Sequence, residues 1–177
     1  TGAGLTSLAE TTGGLSVTVA AVTGDGAISI TAKESILLDN VVIATTTAEV
    51  DSESGAITAT AADDVVSGTT VTLNAATGIG AGTAISTEAT TLSFTNLTSG
   101  VVNISNTIGT GNTVAVSGGN TGAGLTSLAE TTGGLSVTGA AVTGNGAISI
   151  TAKESILLDN VVTATTTAED DSESGAI

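Results

Sequence analysis

Apolar and small polar residues alternate in short runs along most of the chain. The clearest run is Gly26-Ala27-Ile28-Ser29-Ile30-Thr31-Ala32, with close relatives at Gly55-Ala56-Ile57-Thr58-Ala59-Thr60-Ala61 and Thr70-Val71-Thr72-Leu73-Asn74-Ala75-Ala76. Looser versions are Thr91-Leu92-Ser93-Phe94-Thr95, Val102-Asn103-Ile104-Ser105 and Thr113-Val114-Ala115-Val116-Ser117. A period of two is the signature of a β-strand with one buried face. It predicts that Ile28 and Ile30, Ile57 and Ala59, Val71 and Leu73, Leu92 and Phe94, Val102 and Ile104, and Val114 and Val116 point inward. Strands are expected to begin near Leu15, Ala27, Ser35, Val41, Ala56, Val71, Leu92, Val101 and Val114, resuming at Leu135. Gly, Asn, Asp, Ser and Thr fill the gaps, as in Thr23-Gly24-Asp25-Gly26 and Gly109-Thr110-Gly111-Asn112, and these residues make turns. Helical signals are weak: Ala32 to Leu38 could form one turn, but Ser35-Ile36-Leu37-Leu38 reads better as a strand after a corner.

A longer period overlies the short one. Residues 1–57 return as residues 121–177, an offset of 120, with four differences: Val19 becomes Gly139, Asp25 becomes Asn145, Ile43 becomes Thr163 and Val50 becomes Asp170. The chain therefore divides into one full unit, 1–120, and a partial second copy, 121–177, and reads as a stretch of a longer tandem array. An unpaired charge is costly in a packed core, so Val50→Asp and Ile43→Thr predict that positions 43 and 50 face outward or lie in turns. Asp25→Asn means that no ligand site there depends strictly on that carboxylate.

Two all-β architectures fit. One is a parallel β-solenoid of about 20-residue coils, right-handed as parallel crossovers are, with about six coils per unit and a rise of roughly 29 Å. The other is a tandem series of immunoglobulin-like β-sandwiches, one per unit. Sandwich cores favour large residues and often a Trp or Tyr. This chain has one aromatic residue, Phe94, and its remaining apolar residues are small or β-branched. Stacked Val, Ile, Leu and Ala with Gly, Asn and Asp corners favour the solenoid, with Phe94 as a core residue.

The charge balance narrows the partners. Seventeen acids against two cations, Lys33 and Lys153, give a net charge of −15. Nucleic acid and anionic membrane surfaces would be repelled. No apolar run is long enough to insert in a bilayer. The hydrophobic fraction of 40% separates the chain from typical disordered sequences. Absence of Cys fits an exported chain that avoids thiol chemistry. No signal peptide is visible.

The pattern Gly-Ala-Ile-x-Ile-Thr-Ala, repeated with Asn, Asp and Gly corners in a Thr-rich, Cys-free chain, resembles the repeat regions of filamentous-haemagglutinin-like large exoproteins and related bacterial β-helical adhesins. The resemblance covers nearly the whole chain and is one of composition and period. It implies a right-handed parallel β-helix, export across the outer membrane, and display as a long secreted or cell-surface fibre.

Chemistry-bearing residues are few. Without His, Cys, Tyr or Arg, Ser–His and Cys–His nucleophile pairs cannot form. The acid pairs Asp51 with Glu53 and Asp63 with Asp64 lack the aromatic platforms and basic residues of a sugar-processing site, so no enzyme is expected. Calcium is the one cofactor considered. Asp51, Glu53, Asp63, Asp64 and, in the second copy, Asp171 and Glu173 are its candidate ligands, although the spacing of a calcium loop is incomplete and Asp also makes good turns. Threonine runs such as Thr58-Ala59-Thr60 raise a remote ice-binding reading, but the same pair does not recur on every coil. Asn96-Leu97-Thr98 and Asn103-Ile104-Ser105 match the glycosylation acceptor pattern. The expected function is the structural repeat shaft of an extracellular fibre or giant adhesin. Its expected partners are further copies of itself, end to end or side by side, and a host or neighbouring-cell surface. The alternative is a calcium- or glycan-binding adhesin module.

Overall fold

The computed structural model describes residues 4–18 and 20–177, and every regular element among them is a β-strand. All strand pairs are parallel and each joins residues about one coil apart, so the chain is a β-solenoid of about eight coils. The sandwich alternative is thereby set aside. Along one side, Thr6 stacks on Ile28, Ile28 on Ala48, Ala48 on Val71, Val71 on Leu92 and Leu92 on Val116. A second side runs from Val22–Gly24 through Val42–Ala44, Val65–Ser67, Ile85–Glu88 and Val102–Asn106 to Thr126–Glu130, Ile148–Ala152 and Ala168–Ser172. A shorter third sheet joins Leu15–Val17, Ile36–Leu38 and Ile57–Ala59, and single bridges extend it from Ile57 to Ile79 and on to Val102.

The core is the set of inward positions predicted from the alternation. Ile28, Ile30, Ile57, Ala59, Val71, Leu73, Leu92, Phe94, Val102, Ile104, Val114 and Val116 are all buried. In-register stacking turns them into columns, because each coil lies one inter-strand spacing, about 4.8 Å, above the last. One column reads Leu8, Ile30, Val50, Leu73, Phe94, Gly118, Val142, Val162. Its largest member sits against its smallest. A Cβ on Gly118 would lie 2.3 Å from the Phe94 carbonyl oxygen and 2.6 Å from its ring, so Gly118 makes the room that Phe94 uses.

The same column corrects one expectation. Val50 is not outward or in a turn: it is 0% exposed, between Ile30 and Leu73. Position 43 does face out, with Ile43 43% exposed. The inward place at the equivalent of Val50 in the second copy is taken by Asp170, stacked on Ile150.

The number of coils per unit is also corrected. The strand Thr6–Glu10 lies in the first sheet, whereas its identical copy Thr126–Glu130 lies in the second. Conversely, Val22–Gly24 lies in the second sheet, while Val142, Thr143 and Gly144 stack on the first. The unit therefore holds five coils plus about one side, not six coils, and rises about 26 Å. Two irregularities carry this change of side. In the coil of Val102–Asn106, one strand covers both the Ile79 bridge and Ile85–Glu88. Above it, the long strand Gly134–Gly144 pairs with Thr113–Asn120 in two registers that shift between Val116 and Gly118. Gly139, within that long strand, has φ +77°, where a side chain would be strained. Its counterpart Val19 lies outside the described residues.

Candidate functional site

The acids predicted as calcium ligands are scattered. Glu49 and Asp51 both face outward from the strand Thr47–Ser52. Burial, then the nearby Glu49 and Glu53 charges, push the Asp51 carboxyl above its ordinary value. Glu53 is engaged by Lys33 at 2.8 Å, and that bond holds the lysine above its ordinary value. Lys153 and Glu173 repeat the pair one unit later. Asp64 is buried and closes a turn, with one carboxylate oxygen accepting from the Thr60 and Ala61 amides at 3.2 and 2.8 Å and from the Thr60 hydroxyl at 2.8 Å. Asp63 and Asp171 are exposed. Among the described residues no three Asp or Glu side chains converge on one point.

The threonine and glycosylation motifs are placed as plainly. Outward columns read Ser29, Glu49, Thr72, Ser93, Ser117 and Thr31, Asp51, Asn74, Thr95, Gly119, so acids interrupt any hydroxyl ladder. Asn96 is buried and its amide nitrogen donates to the Ser99 carbonyl at 2.8 Å and to Asn120 Oδ1 at 2.7 Å, leaving that nitrogen committed inside the coil. Asn103 lies mid-strand, flanked by buried Val102 and Ile104.

Sequence reasoning missed a carboxylate at an inner corner. Glu130 is 2% exposed and sits where the second copy stacks on the first. Its Oε1 accepts from the amides of Thr132, Gly133 and Ile108 at 3.0, 3.0 and 3.2 Å, and its Oε2 accepts from the Asn106 amide nitrogen at 2.7 Å. Asn106 Oδ1 in turn accepts from the Thr87 hydroxyl at 2.8 Å. A buried carboxylate persists because donors surround it. The Glu-Thr-Thr-Gly motif was the available signal: the same acid in the first copy, Glu10, already folds over its own turn to accept from the Thr12 and Gly13 amides at 2.9 and 3.2 Å.

Beside this joint lies a groove of about 490 Å³. Two stacked corners form its floor, Gly68-Thr69 and Glu88-Ala89-Thr90, joined by a bond from the Gly68 amide to the Glu88 carbonyl at 3.1 Å. The loop Thr107-Ile108-Gly109 completes its wall. That wall is fixed from above by the second copy. The Ile108 amide donates to Glu130, the Gly109 amide to the Thr132 hydroxyl at 2.9 Å, and the Gly111 amide to the Glu154 carboxylate at 3.0 Å. Gly109 and Gly111 have φ of +89° and +78°, so the loop needs glycine to turn there. Between Asp64 and Glu130 the single charged side chain in the sequence is Glu88, so the groove lies in a nearly neutral band between acidic coils.

No protein-family model, curated protein or solved structure matches this chain.

Proposed function

We propose that this chain is a segment of the structural shaft of a secreted or cell-surface bacterial fibre, extended by tandem addition of 120-residue units. The observation that carries the reading is the joint between copies. Thr126–Glu130 continues the second sheet by in-register parallel pairing with Val102–Asn106 of the first copy, and a buried Asn106–Glu130 bond crosses the boundary. Units joined this way have no linker to flex, and main-chain hydrogen bonds run unbroken along the axis. The extracellular placement rests on the resemblance to exoprotein repeats. Self-association by stacking of open strand edges is part of the same proposal, since only the two ends of a solenoid leave edges unpaired.

The test uses chains that carry one, two and three units, viewed by electron microscopy. Rods of constant width that lengthen by about 26 Å per unit, with a repeat near 4.8 Å in fibre diffraction, are expected. Strings of separate beads, or rods whose length does not follow the number of units, would overturn the shaft. Association of the chains is read separately by sedimentation; a species that stays monomeric at every concentration removes self-stacking and leaves the shaft standing.

A further inference from the structure

Positions 25 and 145 are the same corner with different chemistry. The first copy has Asp25-Gly26, and the second has Asn145-Gly146, the single Asn-Gly pair in the sequence. In both copies the first residue is exposed and the glycine is buried. An asparagine followed by glycine loses its side-chain amide readily, because the next main-chain nitrogen carries no side chain to keep it from the Asn Cγ. Packing compels the glycine here. A Cβ at position 146 would lie 2.4 Å from the Gly124 carbonyl oxygen and 2.6 Å from that of Ala123, in the coil below. The stack therefore places the reactive neighbour beside Asn145. Hydrogen bonding then separates this asparagine from others. The amides that follow Asn96, Asn106 and Asn120 are committed to the coil below: Leu97 donates to the Ala75 carbonyl at 3.0 Å, Thr107 to that of Thr87 at 2.9 Å and Thr121 to that of Asn96 at 2.9 Å. The amide after Asn160 donates to that asparagine's own Oδ1 at 2.8 Å. Among the described residues the Gly146 amide has no protein acceptor. The Asn145 main-chain carbonyl accepts from the Thr165 hydroxyl, which polarises the same peptide unit and makes its N–H a better acid. The Asn145 Nδ2 donates to the Thr121 carbonyl at 2.7 Å, one coil below.

We propose that Asn145 is a self-modification site, where the chain converts this amide to a carboxylate without an enzyme. The Gly146 nitrogen bonds to Asn145 Cγ and gives up its proton. The Cγ–Nδ2 bond breaks, and Nδ2 leaves as ammonia with that proton. Solvent water then opens the cyclic imide. Breaking the bond from the Gly146 nitrogen to Cγ gives aspartate on an ordinary main chain. Breaking its bond to the Asn145 main-chain carbonyl carbon gives isoaspartate, with one extra methylene in the backbone. Nothing is oxidised or reduced. The aspartate product is the residue that the first copy encodes at position 25. Either product removes the donor that reaches the Thr121 carbonyl, leaves acceptor facing acceptor, and adds a negative charge to a chain already at −15. The corner then grips the coil below less firmly, so the modification marks the age of the chain and loosens the coil that carries it. This goes beyond the shaft reading and does not depend on it.

The experiment ages the folded 177-residue chain for weeks in neutral buffer, then unfolds it and cleaves it after glutamate for mass spectrometry. Residues 131–154 form one fragment, and its single asparagine is Asn145. That fragment is expected to gain about 1 Da, while the fragments that carry Asn96, Asn106, Asn120 and Asn160 keep their masses. An isoaspartate-specific methyltransferase should label the same fragment and no other. Asn145→Asp should abolish the gain. It should also speed hydrogen exchange at the Thr165 amide, which donates to the Gly144 carbonyl at 3.1 Å, by about fivefold, the worth of one hydrogen bond. Three results would each overturn the proposal: the fragment from the folded chain keeps its mass; the gain appears only in chain held in denaturant; or the other asparagines gain mass as fast. Unchanged Thr165 exchange in Asn145→Asp would overturn the loosening.

Discussion

The two copies of the 57-residue segment are nearly identical in sequence and differ in surroundings. In the first copy, Thr6–Glu10 begins the first sheet, and Glu10 is half-buried with its second oxygen free of the Asn contact. In the second, Thr126–Glu130 lies on another side with a coil beneath it, and the same glutamate is buried and bonded to Asn106. The strand, the turn and the folded-back carboxylate survive the move. Local information in Thr-Ser-Leu-Ala-Glu-Thr-Thr-Gly therefore specifies a strand and a corner, and does not specify which side of the solenoid they occupy. The sides are interchangeable because each offers the same thing: a parallel edge and a column of small apolar residues. Burial follows the neighbours. Leu38, covered by Ala59 one coil above, is 0% exposed, whereas Leu158 is 41% exposed.

The largest expected effect comes from moving a second-copy residue into the first. Val50→Asp would place a carboxylate between Ile30 and Leu73 with no donor nearby, and should cost about 3 kcal/mol or more in chemical denaturation. If the variant were as stable as the parent, position 50 would not be inward as the column requires. Next is the glutamate pair. Glu130→Ala strips partners from three amides and from Asn106, and should cost about 3 kcal/mol. Glu10→Ala should change the denaturation midpoint far less. Its contribution also has a definite pH signature. Bonds from Thr12 hold the Glu10 carboxyl below its ordinary value, so its stabilising effect is present above the unfolded-state value of 4.5 and fades as pH falls through the folded one. Equal losses from the two alanine variants would show that burial at the joint contributes nothing.

Gly118→Ala probes the place where the second copy crosses onto the first side. The added methyl meets Phe94 on both backbone and ring, and should cost about 2 kcal/mol. Phe94→Leu in the same chain should recover part of that loss, because the ring is one of the clashing groups. A Gly118→Ala chain with parental stability would mean that the register shift between Val116 and Gly118 relaxes freely.

Much of the fold was legible because alternation is local. The inward partners Ile28 and Ile30, or Leu92 and Phe94, can be read from five residues. Strands Thr6–Glu10, Val22–Gly24, Thr47–Ser52, Val65–Ser67, Ile85–Glu88 and Thr126–Glu130 were missed, and Thr23 and Gly24, expected in a turn, belong to the second of them. Thr47–Ser52 carries Glu49 and Asp51 on its outer face and Ala48 and Val50 inside, and its acids drew attention toward a calcium loop. Glu10 and Glu130 point to inner corners, where an apolar residue is the ordinary expectation, and only the surrounding amides make a carboxylate tolerable there. The groove was invisible for another reason. Thr69, Glu88 and Thr107 are about one coil apart in sequence and meet only once the coils are stacked and the register is known. The count of five coils and one side was hidden likewise, since a 120-residue period says nothing of where each coil closes.

The smallest expected effect is at Asp170, and it returns to the copies. Its inward place on the strand Ala168–Ser172 leaves Oδ1 buried without a partner, while the rest of the residue stays half-exposed. Burial raises its carboxyl above the ordinary value. The sign follows: the folded chain takes up this proton more readily than the unfolded one, so the charged form is a cost at neutral pH. That cost is relieved as pH falls through the raised value toward 3.8. Asp170→Val, which restores the first-copy residue, should stabilise the chain at pH 7 by no more than about 1 kcal/mol, given how much water reaches the site. The gain should shrink as pH is lowered, because protonation achieves part of what the substitution does. A gain that grew on acidification would mean that the charged carboxylate is satisfied where it stands, and that the second copy accommodates an inward acid as readily as the first accommodates Val50.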